Sequence, residues 1–418
     1  LPIYPDIPNN EFTRDEILSM LAKEMLDAAE QLPASQPEVG RIHKYIALAY
    51  AAKIKLYQAY QQDEITHAVT SINKELLREV VSLCDQVTAS NRYGLLDDFQ
   101  GLDLVTNENG KESVFAIQYS MNDGTESAGR INWSNLLNSP GGGSPYGGDG
   151  FFLPSQDLIN AYQTDANGLP DFNYQSKSDY SWAVLNNGVY TLQNTTPNVD
   201  PRLDFVVGRP TITWKTYPDK PCEGWVRDKD TYGYNCAKRF WVSPESSDMF
   251  NGWPWGASQL NWQIIRYADI LLWKAEALIE LNEGNGLETA RDLINQIRNR
   301  ARNSAYVKDF NDHSKYAANY LVNPYPADVW NQDYARQALR WETRLEKALE
   351  GERFFDLVRW GIVETTMNKY ITAESDNRIY YANAHFTGGK DEYYPVPNNQ
   401  YGFSGGKYVQ NPGYAPFN

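Results

Sequence analysis

The chain has 418 residues, with 53 Asp and Glu against 38 Lys and Arg, so its formal net charge is −15 at pH 7. A net charge of this size repels nucleic-acid phosphates and anionic lipid surfaces, so we expect no nucleic-acid partner. The sequence contains no run of about 18 apolar residues, which excludes a membrane-spanning helix from it.

The first part of the chain has the period of amphipathic helices. Apolar residues spaced three and four apart predict helices over residues 12–32, 40–59 and 63–89. Thr13 with Glu16 three residues later forms the sequence pattern of a capping box, and Pro33 follows the end of the first helix.

The middle of the chain, residues 92–261, is rich in Gly, Asn, Asp, Pro, Ser, Trp and Tyr. Only residues 154–163 read as a helix there, and alternating stretches predict strands at 113–119 and 203–207. Cys222 and Cys236 would close a surface loop of 15 residues. A disulfide between them would stabilise the fold by about 3 kcal/mol in an oxidising compartment, and the alternative is two unpaired thiols.

Helical periodicity returns over residues 262–281, 287–302 and 331–360. The first two are joined by a short Gly- and Asn-rich linker and carry Ala at their expected crossing, which is typical of tetratricopeptide-like hairpins. The sequence therefore predicts a mainly α fold: a helical superhelix interrupted by a long, irregular, aromatic-rich insertion. We assign residues 1–91 and 262–418 to the scaffold and 92–261 to the insertion.

Catalytic and metal-binding motifs are weak. No two of the four His residues lie three to five apart, as a helical zinc site requires. Ser404 has the Gly neighbours of a nucleophile elbow but no later His, and Asp165 to Gly168 favours a turn over an incomplete calcium loop. We therefore predict no catalytic residue, metal ligand or cofactor, with a structural calcium ion left open. The helical spacing of Glu342, Glu346 and Glu350 predicts a charge-paired helix face.

Aromatic residues are concentrated in the insertion. They include Trp133, Tyr146, Trp182, Trp214, Trp225, Tyr232, Tyr234, Trp241, Trp253 and Trp255. Flat amphipathic rings on loops, interleaved with polar residues, suit a sugar-binding surface, although core packing is the commoner role of any single ring. Trp133, Tyr146, Trp182 and Trp225 are our predicted ligand-binding residues.

Four ordered motifs in the C-terminal part resemble the SusD/RagB family of Bacteroidetes outer-membrane nutrient-binding lipoproteins. They lie at residues 265–301, 349–361, 394–397 and 410–414. The family's lipoprotein signal, anchoring Cys and first helical region are absent from this chain, so the anchor is expected outside it. The resemblance implies a surface-exposed outer-membrane lipoprotein without catalytic activity, which captures oligosaccharide and delivers it to a SusC-like TonB-dependent outer-membrane transporter.

Two other functions stay open from the sequence. Some relatives of this family are associated with peptide uptake, which makes a RagB-like peptide-binding protein the first alternative. Carboxylates are abundant, so a glycoside hydrolase with an acid/base pair about 5 to 9.5 Å apart is the second.

Overall fold

The structure is a computed structural model that describes residues 8–126, 129–133, 135–138, 141, 143–186, 189–193, 197–216, 224–253 and 255–417. In chain order its helices are α1 (Arg14–Gln31), α2 (Lys44–Ala59), α3 (Lys74–Ala89), α4 (Asn135–Asn138), α5 (Gln156–Ala161), α6 (Arg202–Val206), α7 (Lys229–Tyr232), α8 (Tyr267–Leu281), α9 (Gly286–Asn303), α10 (Gln332–Glu346), α11 (Arg353–Arg359), α12 (Val363–Glu374) and α13 (Asn398–Phe403). The mainly α fold predicted from the sequence is confirmed.

The strands are short and pair two at a time. They are β1 (Tyr60–Gln62), β2 (Val69–Ile72), β3 (Ser113–Ile117), β4 (Ala183–Asn186), β5 (Val189–Leu192), β6 (Val207–Gly208), β7 (Cys236–Ala237) and β8 (Trp262–Arg266). Antiparallel pairs form between β1 and β2, β3 and β8, β4 and β5, and β6 and β7. The predicted strand at 113–119 is confirmed as β3, which pairs with β8 at the return of the chain to the scaffold.

The predicted start of the first helix is confirmed at atomic level. Thr13 Oγ1 accepts the backbone N–H of Glu16 at 3.2 Å, and Glu16 Oε2 accepts the backbone N–H of Thr13 at 2.9 Å. These two bonds satisfy N–H groups that have no partner inside the helix.

Three predicted elements were wrong in type or extent. Residues 203–207 were predicted as a strand but lie mostly in α6, a helix buried on every side that therefore lacks an amphipathic period. The helix predicted over 262–281 begins only at Tyr267, because Trp262–Arg266 pair with β3. The helix predicted over 63–89 likewise begins at Lys74, after β2.

The helix predicted over 331–360 is broken into α10 and α11. Leu349 (φ 67°) and Gly351 (φ 86°) take left-handed backbone conformations between them, which a continuous α-helix does not accommodate. Gly351 was visible in the sequence and is the residue type that ends helices in this way.

The helices stack in sequence order into a superhelix. Helix α1 packs on α2, α2 on α3, α3 on α8 and α8 on α9, while α10 contacts both α8 and α9. One hydrophobic core runs through helices from both ends of the chain. A second core lies under the insertion, and a third, small one consists of Tyr146, Trp214, Trp225, Cys236 and Trp241.

A buried ion network ties the insertion to the scaffold. Seven cations and seven carboxylates join it, none with more than 13% of its side chain exposed: Lys215, Arg239, Lys347, Arg266, Arg300, Arg202, Arg298, Asp103, Glu350, Asp269, Glu112, Glu346, Asp200 and Glu342. The predicted charge pairing of Glu342, Glu346 and Glu350 is confirmed, but apart from Lys347, which pairs with Glu350, their partners come from distant segments. Charges buried this deeply require such pairing.

Candidate functional site

The four predicted ligand-binding aromatics occupy different environments. Tyr146 (3% exposed) and Trp225 (1% exposed) lie in the third core, where both contact Trp214 edge to face. A ring stacks on a ligand only through an exposed face, so the structure indicates packing roles for these two. Trp182 (9% exposed) lies at the edge of a cleft, and Trp133 (48% exposed) lies on an open surface. Cys222 of the predicted disulfide lies outside the described residues, so that pairing stays a prediction.

The cleft beside Trp182 has a volume of about 450 Å³ and lies where the insertion meets the end of α12. We call it the aromatic cleft. Its lining consists of Gln156, Asp179, Tyr180, Ser181, Trp182, Ala183, Pro210, Lys229, Asp230, Tyr232, Gly233, Tyr234, Asn235, Glu374, Asp376, Asn377 and Arg378. It combines amphipathic rings with carboxylate, amide and cationic groups in one concave surface, as small polar ligands require.

Helix α7 presents the aromatic wall of the cleft. Asp228 begins this short helix by accepting the backbone N–H of Thr231 at 3.1 Å. Gly233 ends it with a φ of 75°, a conformation that L side chains rarely adopt. The resulting turn leaves Tyr232 42% exposed, with its ring centroid 5.9 Å from that of Tyr380.

Trp182 lines the cleft with the exposed edge of its ring and is held by its neighbours. Its indole N–H donates to the carbonyl of Pro210 at 2.9 Å, and the Arg209 guanidinium lies 4.6 Å from the ring centroid. Asp204 holds Arg209 through two bonds of 2.7 and 2.8 Å. These contacts fix the orientation of Trp182, so the cleft is largely preformed.

The polar wall comes from two segments far apart in the sequence. Asp179 accepts the side-chain amides of Asn160 at 2.7 Å and Asn377 at 3.3 Å. Arg378, the next residue, donates to the carbonyl of Pro154 at 2.9 Å and to the hydroxyl of Tyr380 at 3.0 Å. None of these residues is among the predicted ligand-binding residues, although the polar run at 375–378, just after a helix, is a signal visible in the sequence.

Glu374 is the most buried carboxylate of the cleft lining. One of its oxygens accepts the backbone N–H of Asp157 in the first turn of α5, and the other lies 3.4 Å from Arg378 Nε. Burial raises the pKa of Glu374 above its ordinary value, although Asp157 N–H and Arg378 oppose that shift. The contacts indicate that Glu374 fixes α5 against the end of α12.

The motifs that suggested other chemistry take structural roles. Asp165 accepts the backbone N–H groups of Asn167 and Leu169 at 2.8 and 2.9 Å, which is a turn with Gly168 at φ 72°. Ser404 is buried, donating to the Tyr401 carbonyl at 2.8 Å and accepting the Tyr408 N–H at 3.1 Å. Within the described ranges, no group of three or more His, Cys, Asp or Glu is arranged to hold a metal ion.

A second aromatic surface consists of Trp133, Trp253 and Trp255, all about half exposed or more. Asn132, next to Trp133, donates its backbone N–H to Ser258 at 2.9 Å, which places both segments side by side. Added to Gly256, a Cβ would lie 2.7 Å from Trp241 and 3.3 Å from Tyr146, so the backbone at Gly256 rests on the third core. Tyr146 therefore helps to support this surface from below.

A larger cavity, about 770 Å³, lies elsewhere, between the scaffold helices and the C-terminal tail. Its apolar wall includes Phe354 and Phe355. Two of its polar groups bond to the scaffold backbone: Arg14 donates to the Tyr57 carbonyl at 2.7 Å and Gln62 to the Val358 carbonyl at 3.0 Å. The exposed lining of this cavity is mainly apolar, whereas the aromatic cleft has a larger polar share, so we place the candidate site for a hydroxyl-rich ligand in the aromatic cleft.

Comparison with known proteins decides the family. The model of the SusD family matches residues 111–414, which is most of the chain. The chain belongs to the SusD family. The resemblance seen in the sequence is therefore confirmed. The match to the family model spans most of the insertion and the C-terminal scaffold. The comparison with curated proteins gives no match.

Solved structures of SusD-like proteins share the fold of this chain. A SusD superfamily protein from Bacteroides vulgatus is 21% identical, with a TM-score of 0.63 over 96% of this chain and 69% of the other. Surface glycan-binding protein A from Bacteroides fluxus is 20% identical, with a TM-score of 0.61 over 98% and 73%. A laminarin-binding SusD-like protein is 19% identical, with a TM-score of 0.52 over 96% and 69%.

In the part of the chain that the structure describes, no helix combines the length and the apolar character needed to cross a bilayer.

Proposed function

We propose that this SusD-family chain is a non-catalytic glycan-binding protein of the cell surface and that the aromatic cleft holds the glycan. The observation that carries the proposal is that Tyr232, Tyr234 and the edge of Trp182 line one cleft together with Asp179 and Asn377. The rings would cover the apolar C–H faces of a pyranose, and the carboxylate and amide groups would bind its hydroxyls.

The family and its described members support this proposal. The chain belongs to the SusD family, and two proteins that share its fold are described as laminarin-binding and as a surface glycan-binding protein. At 19% and 20% identity, neither similarity identifies the glycan that this chain binds.

The remaining parts of the proposal rest on the family resemblance. We propose that the protein is a lipoprotein anchored in the outer membrane and that it delivers its glycan to a SusC-like TonB-dependent transporter. The proposed absence of catalysis rests on the SusD family membership and on the description of two proteins with this fold as binding proteins.

Native gel electrophoresis through dissolved polysaccharides tests the proposal. The purified chain is run through gels that contain laminarin, starch, xyloglucan, mannan or pectin, and the reaction mixtures are assayed for new reducing ends. We expect retardation by at least one polysaccharide without release of reducing ends. Release of reducing ends from the bound polymer would contradict the non-catalytic proposal. If the chain binds none of the polysaccharides but releases heat when a peptide mixture is added in the calorimeter, peptide binding would replace glycan binding as the proposed function.

A further inference from the structure

The charged residues that line the aromatic cleft are mostly acidic. Four carboxylates, Asp179, Asp230, Glu374 and Asp376, line it against two cations, Lys229 and Arg378. The lining therefore carries a formal charge of 2 − 4 = −2, which has the same sign as the charge of the whole chain.

Arg378 is the cation best suited to recognise an acidic sugar, but both of its terminal nitrogens already bond to protein groups. Its Nη1 donates to the Tyr380 hydroxyl at 3.0 Å, and its Nη2 donates to the carbonyls of Pro154 at 2.9 Å and Leu153 at 3.4 Å, while its Nε lies 3.4 Å from Glu374. A guanidinium binds a carboxylate or sulfate strongly when it presents two parallel N–H groups. An anionic sugar would have to compete with these carbonyls and this hydroxyl, and the Glu374 carboxylate offsets the charge of Arg378.

Lys229 has acidic residues on both sides. It is exposed on α7 between Asp228 and Asp230, and its Nζ lies 5.6 Å from the centroid of the Tyr234 ring. A single exposed ammonium between carboxylates provides little net attraction for an anion in water.

Among the described residues of the lining, the acidic groups outnumber the cations. Asp179 is held by the amides of Asn160 and Asn377, which carry no net charge. Asp230 and Asp376 are exposed at the rim on opposite segments, the α7 turn and the end of α12. An anionic sugar in the cleft would therefore meet like charge from two sides.

We infer that the aromatic cleft selects uncharged glycans and excludes polymers that carry carboxylate or sulfate groups. This inference rests on the proposed function and narrows its substrate class. Like charges brought together at a binding surface weaken the complex with a charged ligand and leave the complex with a neutral ligand unaffected. The charge of the cleft therefore contributes to specificity. The effect depends on ionic strength because exposed charges are screened over about 10 Å at 0.1 M salt.

A matched pair of ligands tests the inference. The probes are laminarin and carboxymethyl-laminarin, which share one backbone, together with any other neutral polysaccharide that retards the chain and its carboxymethylated form. Affinities are measured by calorimetry at 20 mM and 500 mM NaCl. We expect carboxymethylation to weaken binding by on the order of tenfold at low salt, and we expect this difference to shrink at high salt.

Charge-removing variants separate the cleft from the rest of the protein. Asp230→Asn together with Asp376→Asn should reduce by several-fold the low-salt ratio of the affinity for laminarin to the affinity for carboxymethyl-laminarin. The matched control, Glu24→Gln with Glu30→Gln on the exposed face of α1, removes the same charge far from the cleft and should leave the difference unchanged.

Three results would overturn the inference. Equal affinity for both polymers at low salt would show that the acidic rim does not select. If the difference in affinity changed neither with salt nor in the cleft variants, the size of the carboxymethyl groups, and not their charge, would be its cause. An equal response to the control variants would assign it to the net charge of the chain. Binding of neither polymer class would instead contradict the proposed glycan function itself, and the inference with it.

Discussion

Arg202 Nη1 lies 3.2 Å from Glu346 Oε2, and both side chains are completely buried. Arg202 belongs to the insertion and Glu346 to scaffold helix α10, so this ion pair joins the two parts of the molecule. Asp200 and Glu342 also contact Arg202, at 2.7 and 2.6 Å. The aromatic cleft lies at the same border, so its shape depends on how firmly this network holds the insertion.

Replacing Glu346 by Gln should strongly destabilise the protein. The substitution keeps the shape of the side chain but leaves Arg202, Arg266 and Arg300 without one of their shared carboxylates. Breaking a buried ion pair on one side costs about 3–5 kcal/mol, and we expect a decrease of that size in the free energy of unfolding by urea. Glu24→Gln on exposed α1 is the control and should change it by less than about 0.5 kcal/mol.

The same residue predicts a window of acid sensitivity. Burial opposes the charge of Glu346, but Arg300, Arg266 and Arg202 outweigh it and lower its pKa to about 2 from an ordinary 4.5. A lowered folded-state pKa gives stability that is complete above about pH 4.5 and is lost as the pH falls toward 2. We expect the melting temperature of the wild type to decrease as the pH is lowered through this window. The melting temperature of the Glu346→Gln variant should decrease less. Parallel curves for the two proteins would contradict this role.

Glu108 should have the opposite dependence on pH. Burial raises its pKa to about 7 from an ordinary 4.5, with the nearby Asp248 adding to the shift and the Asn261 N–H, donated at 2.6 Å, opposing it. The fold favours the neutral form of Glu108. The contribution of Glu108 to stability is therefore complete below pH 4.5 and is lost as the pH rises through 7. Glu108→Gln should therefore raise the melting temperature at pH 8 and leave it nearly unchanged at pH 4.5. A variant that melts lower than the wild type at pH 8 would refute the prediction.

The break between α10 and α11 predicts a backbone effect that is free of steric contacts. Gly351 has a φ of 86°, and a Cβ added there meets no atom within 4 Å. Gly351→Ala should therefore cost about 1–2 kcal/mol through backbone conformation alone. Gly402→Ala is the matched control, because Gly402 lies in α13 with open space around it and has no positive φ. Equal urea midpoints for the two variants would contradict this reading of Gly351.

Local sequence signals predicted the scaffold well. The Thr13 capping box and the periodic apolar faces depend on residues a few positions apart, so the chain itself displays them. The predictions at Trp262 and Leu203 are wrong because pairing with β3 and complete burial override local period, and neither is visible without the tertiary structure.

The residues of the aromatic cleft could be predicted from the sequence only in part. The sequence placed the aromatic residues in the insertion but did not separate Tyr146 and Trp225, which pack in a core, from Tyr232, which is exposed. Burial depends on which distant segments cover a ring. Asn377 and Arg378 come from the C-terminal scaffold, about 200 residues after Asp179, so no local pattern joined them to the site.

The central claim is that the glycan binds in the aromatic cleft, and its most direct test compares two exposed tyrosines. Tyr232→Ala removes a cleft ring, whereas Tyr394→Ala removes a ring that is 91% exposed and lies at the large scaffold cavity. Calorimetry is run with the polysaccharide that retards the wild type. We predict that Tyr232→Ala weakens binding by about 1–3 kcal/mol, as loss of a stacking ring does for bases, and that Tyr394→Ala leaves it unchanged. Loss of binding in Tyr394→Ala with full binding in Tyr232→Ala would contradict the assignment of the site to the cleft.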